Sequence, residues 1–123
     1  MIVAVYGTLR KGFANYECCL KRFIDERDVV FMGEYKGSGF NMTDGTYFPY
    51  LHKAPKGVAV FELYKVERNS EEVLHVLDTL EGHPDFYKRE VCAIGGWKAW
   101  VYLRQEDLPI VLSGDWKKHK GVA

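Results

Sequence analysis

The chain has 123 residues, the length of one ordinary domain, with 47% hydrophobic residues. That composition suits a globular core and excludes a disordered polymer. Lys plus Arg and Asp plus Glu both number 17, so the net charge is zero. A broad basic footprint for nucleic acid is therefore absent, and nothing draws the chain to an anionic membrane. The run Lys117-Lys118-His119-Lys120 reads as a solvated tail. Three cysteines, Cys18, Cys19 and Cys92, form no CxxC pair and point to a reducing, cytoplasmic setting. The N-terminal residues lack the basic and long apolar regions of a signal peptide, and no apolar run reaches a membrane-spanning length.

In chain order, Ile2 to Tyr6 is a β-branched apolar run, read as a strand buried on both faces. The turn Gly7-Thr8-Leu9-Arg10-Lys11-Gly12 follows. Asn15 is placed to cap a helix whose apolar face is Tyr16, Cys19, Leu20 and Phe23. Asp28 to Tyr35 reads as a strand. The region Lys36 to Lys56 holds short strands at Phe40 to Met42 and Tyr47 to Leu51, separated by the turn Thr43-Asp44-Gly45. Gly57 to Val66 is the clearest strand and a central one. Asn69 to Glu81 is the clearest helix, capped by Asn69 or Ser70, striped with Val73, Val76, Leu77 and Leu80, and stopped by Gly82 and Pro84. Tyr87 to Ile94 and Lys98 to Leu103 form a hairpin around Gly95-Gly96. The segment from Glu106 onward has no firm assignment.

Short strands outnumber helices and do not alternate with them. The expected fold is therefore α+β: one domain over residues 1–123, a small mixed, largely antiparallel β-barrel with about two flanking helices.

Two features could carry chemistry. On a helical wheel with Val73 at zero, Glu81 falls at about 80°, on the shoulder of the apolar stripe, while Asp78 lies at about 140°, towards solvent. Glu81 also occupies the last helical turn. Desolvation and the helix dipole would both raise its pKa, as a proton shuttle requires. Taken alone, these residues favour the plainer alternative, a surface carboxylate near a helix end. The second feature is the turn at Gly7, Thr8 and Leu9, whose amides could form an anion-binding nest or serve only as a strand–helix connection. Neither phosphate-loop motif is present. The histidines show no metal spacing; His83, close to Glu81 in sequence, either lines the same cleft or, the plainer reading, is solvent-exposed. The cysteines read as structural.

Two segments together carry a resemblance. One is Val5-Tyr6-Gly7-Thr8-Leu9 after the first strand. The other is Leu77-Asp78-x-Leu80-Glu81-Gly82-x-Pro84-x-x-Tyr87-x-Arg89. The pair resembles the gamma-glutamylcyclotransferase-like superfamily, especially its gamma-glutamylamine cyclotransferase branch. The resemblance implies a barrel with a pocket at one end and release of 5-oxoproline and an amine from a gamma-glutamyl amide. It implies Glu81 as acid–base residue, Tyr6, Gly7, Thr8 and Leu9 as the substrate-binding turn, and Tyr87 as a pocket residue. It further implies no cofactor and no metal, a small-molecule partner only, and a monomer or weak homodimer. The alternatives are a non-catalytic small-ligand-binding barrel and an amidase in which Glu81 activates water.

Overall fold

The computed structural model describes every residue, Met1–Ala123. Its strands are β1 (Ile2–Val5), β2 (Val29–Asp44), β3 (Pro49–Val66), β4 (Lys88–Ile94) and β5 (Trp97–Leu103). A π-helical turn at Tyr16–Leu20 runs into α1 (Lys21–Asp25). Helix α2 spans Ser70–Glu81 and α3 spans Trp116–Lys120. The strands form one sheet in the order β2-β3-β1-β5-β4. Only β1 and β5 run parallel; the other pairs are antiparallel. The expected α+β fold with a mixed, largely antiparallel sheet is therefore present. The barrel, however, is not closed by a hydrogen-bonded ladder, because the edge strands β2 and β4 are not paired. Those edges meet through side chains: a Cβ on Gly37 of β2 would sit 3.5 Å from Ile94 of β4.

Alternation along β1 divides the core. Ala4 and Tyr6 point into the curl of the sheet with Phe61, Leu63 and Trp116, while Val3 and Val5 face the helices with Phe23, Val73 and Leu77. This is the strand buried on both faces that the apolar run predicts.

One expectation is corrected in β2 and β3. The four short strands assigned between Asp28 and Val66 are two long ones, joined by a turn at residues 45–48. Bulges between Phe31 and Gly33 and between Ser38 and Phe40 bend β2 as it crosses β3. Bulges interrupt the residue alternation and increase local twist, so glycine-rich stretches that read as breaks are bends. Asn15 and Asn69 also do not cap. Asn15 has helical backbone angles and donates its amide to Thr8 Oγ1 at 2.7 Å. Asn69 takes φ 54° and donates to Asp28 at 3.1 Å.

The unassigned tail is structural. Asp115 caps α3 by accepting from the Lys118 amide, and Trp116 is completely buried in the curl. In α2, Val73 and Leu77 are fully buried, but Leu80 is 37% exposed, contrary to its place in the predicted stripe. Leu77→Ala should therefore cost about 2–5 kcal/mol, whereas Leu80→Ala should stay within about 0.5 kcal/mol. Urea unfolding of both variants checks this; equal losses would mean the helix faces are misassigned.

Candidate functional site

The turn after β1 is built on a buried cation. Arg10 is 1% exposed, and its guanidinium meets Glu62 at 3.0 Å, Asp115 at 2.8 Å and Glu34 at 3.0 Å. Glu62, also buried, accepts from the Lys11 amide at 3.0 Å and from the Tyr64 hydroxyl at 2.8 Å, and Lys117 lies 3.3 Å away. Burial alone would raise the pKa of Glu62. The Lys11 amide and the Arg10 guanidinium outweigh it, so the carboxylate stays ionised with its pKa below the ordinary value. The Arg10 amide closes the turn on the Gly7 carbonyl at 3.0 Å. The backbone passes Pro49 so closely at Gly7 that a Cβ there would lie 2.8 Å from the proline ring. Close approach, rather than unusual backbone angles, is what requires this glycine.

Held this way, the amides of Gly7, Thr8 and Leu9 donate to no acceptor in the chain. They border a cavity of about 200 Å³. Glu81 lies on the same cavity wall system, at the end of α2, where Gly82 takes φ 67° and terminates the helix. Tyr6 and Tyr87 line it as well. All six residues singled out from the sequence therefore border one cavity, and the turn and the carboxylate share it.

Glu81 is half-buried and makes no side-chain hydrogen bond. Burial pushes its pKa up to about 7. Desolvation, one of the two causes expected from the sequence, accounts for this rise. The charge of Glu81 is felt by Tyr6, Tyr87 and Tyr102, all buried and all with raised pKa values owed first to their own burial.

The hydroxyls of these tyrosines are already engaged. Tyr6 donates to the Tyr102 carbonyl, Tyr87 to the Pro49 carbonyl at 2.7 Å, and Tyr102 to Asp78 at 2.7 Å. The uncommitted polar groups of the cavity thus include the Glu81 carboxylate, the three turn amides, the Thr8 hydroxyl hydrogen and the Asn15 side-chain oxygen Oδ1. No lysine or arginine lines the cavity. A bound carboxylate or oxyanion would be met by amides, and a bound ammonium by Glu81.

Some residues depart from their expected places. Asp78, assigned to solvent, is partly buried. It pairs with Arg89 through both oxygens at 2.8 and 3.2 Å and accepts from Tyr102. Together these bonds pin the last turn of α2 to β4 and β5. His83 is half-buried and accepts from the Arg89 amide at 3.1 Å; it does not line the cavity. Phe48, Leu80 and Phe86 line the mouth; from the sequence Leu80 belongs to the helix stripe and Phe48 to the core or barrel-lining aromatics, and Phe86 carries no signal. Arg10 was likewise passed over. Its nearest signal was Glu62, a lone acid on an otherwise apolar strand face.

The chain is similar to known proteins over most of its length. The family model described as "Gamma-glutamyl cyclotransferase, AIG2-like" matches residues 3–118. The chain is 36% identical to the Methanocaldococcus jannaschii protein named "Putative gamma-glutamylcyclotransferase MJ1514", covering 97% of this chain and 98% of that one. Among solved structures, an uncharacterised protein of Pyrococcus horikoshii superposes with a TM-score of 0.74 at 25% identity, covering 98% of this chain and 92% of that one. An AIG2-like protein of Mus musculus shares the fold with a TM-score of 0.72 at 24% identity, over 94% of this chain and 86% of that one.

Two stability measurements test the site's electrostatics. Arg10→Met removes the guanidinium shared by Glu62, Asp115 and Glu34 and should cost about 3–5 kcal/mol in urea unfolding; a loss under 1 kcal/mol would mean that the cluster is solvated. Glu81 has a folded pKa near 7, above its ordinary 4.5. The folded chain thus holds that proton more tightly than the unfolded chain. Its stabilising effect is complete below about pH 4.5 and is lost as pH rises to about 7. Glu81→Gln should equal the parent at pH 4 and exceed it at pH 8 by about 2–3 kcal/mol. An equal or lower stability at pH 8 would contradict the assigned desolvation.

Proposed function

The chain belongs to the AIG2-like gamma-glutamyl cyclotransferase family, and from that premise we propose that it cyclises a gamma-glutamyl amide, releasing 5-oxoproline and a free amine. The observation that carries the reading is one cavity bordered by an unpartnered carboxylate of pKa about 7 and by three unpartnered amides.

The reaction needs no protein nucleophile, because the substrate carries its own α-amine. The amides of Gly7, Thr8 and Leu9 receive the α-carboxylate or the γ-carbonyl oxygen. Glu81, ionised in about half the molecules at neutral pH, removes a proton from the α-ammonium. The freed nitrogen attacks the carbonyl carbon of the γ-amide, and a new C–N bond closes the five-membered ring. Confinement of the bent chain in the cavity replaces a bimolecular encounter with a preorganised one. Glu81 passes its proton to the leaving nitrogen as the original amide bond breaks. Over the whole reaction the α-ammonium gives up two protons and the leaving nitrogen gains two, departing as an ammonium ion.

Tyr6 and Tyr87 act as walls in this scheme, since their hydroxyls are spent on backbone carbonyls. Three free thiols suit a reducing cytoplasm as the working compartment. No helix is long and apolar enough to cross a membrane.

Product analysis tests the proposal. Incubation with a panel of gamma-glutamyl amides should yield 5-oxoproline by mass spectrometry, and Glu81→Gln should lower kcat by at least about 10²-fold. Free glutamate instead would identify a hydrolase that activates water. Thermal stabilisation by ligand without any product would identify a binding protein. For the parent enzyme kcat/KM should rise with pH through an acid limb near 7, the ionisation of Glu81. A flat profile between pH 5 and 8 would remove Glu81 as the base.

A further inference from the structure

The mouth of the cavity bears on the leaving amine. The glutamyl part of a substrate is met by Glu81 and the turn amides, so the group on the γ-nitrogen must extend along the remaining lining, which includes Phe48, Leu80 and Phe86. Phe86 is 41% exposed and Leu80 37%. Exposed aromatic side chains are ordinarily free to move, but this one is fixed from several sides. Its amide donates to the Gly82 carbonyl at 2.7 Å, and its carbonyl accepts from Arg104 at 3.0 Å. The same guanidinium stacks 4.2 Å over its ring, and Phe48 and Tyr87 pack against it with centroids at 6.3 and 5.1 Å. The neighbouring Tyr87 amide bonds the Glu81 backbone carbonyl at 3.2 Å, so the backbone that carries the ring is tied to the end of α2. A surface immobilised beforehand loses little entropy when a ligand lands on it.

The charges point the same way. Glu81 is the sole charged residue lining the cavity, and the cation against Phe86 is already paired with Glu106 at 2.9 Å. A cationic tail would find no spare carboxylate in the lining and a guanidinium at the rim. We infer that the site is built for gamma-glutamyl amides whose leaving amine carries an uncharged aromatic body, with Phe86 and Leu80 as specificity-determining residues. The inference rests on the cyclotransferase reading and adds the substrate class.

Three substrates test it: the gamma-glutamyl conjugates of phenethylamine, ethylamine and 1,4-diaminobutane. The phenethylamine conjugate should exceed both others in kcat/KM by about tenfold or more, the scale set by burying several carbons in an apolar pocket. Phe86→Ala should shrink the phenethylamine-to-ethylamine ratio to within about twofold, chiefly through KM. Leu80→Glu, at an exposed position, should shift the preference towards the diamine conjugate. Formation of 5-oxoproline with no aromatic preference, or with the diamine preferred by the parent enzyme, would overturn the inference while leaving the cyclotransferase reading intact. If none of the three yields 5-oxoproline, that reading fails for these amides, and calorimetric Kd values then decide the mouth separately. Tighter phenethylamine-conjugate binding by about tenfold, lost in Phe86→Ala, would sustain an aromatic subsite; equal or absent binding would overturn it.

Discussion

A guanidinium buried among three carboxylates is the constraint on which this site depends. Arg10 takes one oxygen each from Glu62, Asp115 and Glu34, which lie on β3, before α3 and on β2. Buried ion clusters seldom add much net stability over a well-packed apolar core, but a missing member is costly. What this cluster supplies is position. It fixes the backbone immediately after β1, so three consecutive amides are left facing a cavity with no internal acceptor. A loop bonded to itself would have satisfied those amides and closed the site.

The second half of the site is governed by an opposite choice. Glu62 is surrounded by donors and kept ionised, whereas Glu81 is given none and is desolvated. Two glutamates in one small domain thus have pKa values pushed in opposite directions by their partners rather than by depth alone. Asp78, one turn before Glu81, has its own partners in Arg89 and Tyr102. The helix end is braced through Asp78, which leaves the Glu81 carboxylate free of any side-chain hydrogen bond.

Much of this was legible in the sequence, and the exceptions share a cause. β1, α2 and the β4–β5 hairpin follow from local pattern, because each has one register that buries its apolar residues. Glu81 and the Tyr6 to Leu9 turn were legible as candidates, although only the paired motifs raised them above the plainer alternatives. The continuous course of β2 and β3 was hidden because bulges break the two-residue period that reveals a strand. Asp78 and Leu80 were exchanged in burial. An ideal wheel knows nothing of the Arg89 and Tyr102 side chains that reach Asp78, or of the cavity that stops Leu80 from being covered. Arg10 was hidden for a further reason: its three partners lie 24, 52 and 105 residues away, and no local pattern encodes such distances.

The last of those separations also bears on how the molecule is made. β1 is synthesised first, yet it lies between β3 and β5 in the centre of the sheet, and the cation beside it is completed only by Asp115. On the ribosome the β2–β3 hairpin can pair as it emerges, whereas β1 must wait for β5 to gain its parallel neighbour. Such high-separation contacts favour slow, late consolidation. The cavity therefore takes its final shape only after the segment that carries Asp115 has left the exit tunnel, so a ribosome stalled before α3 would hold a nascent chain with an unfinished cavity.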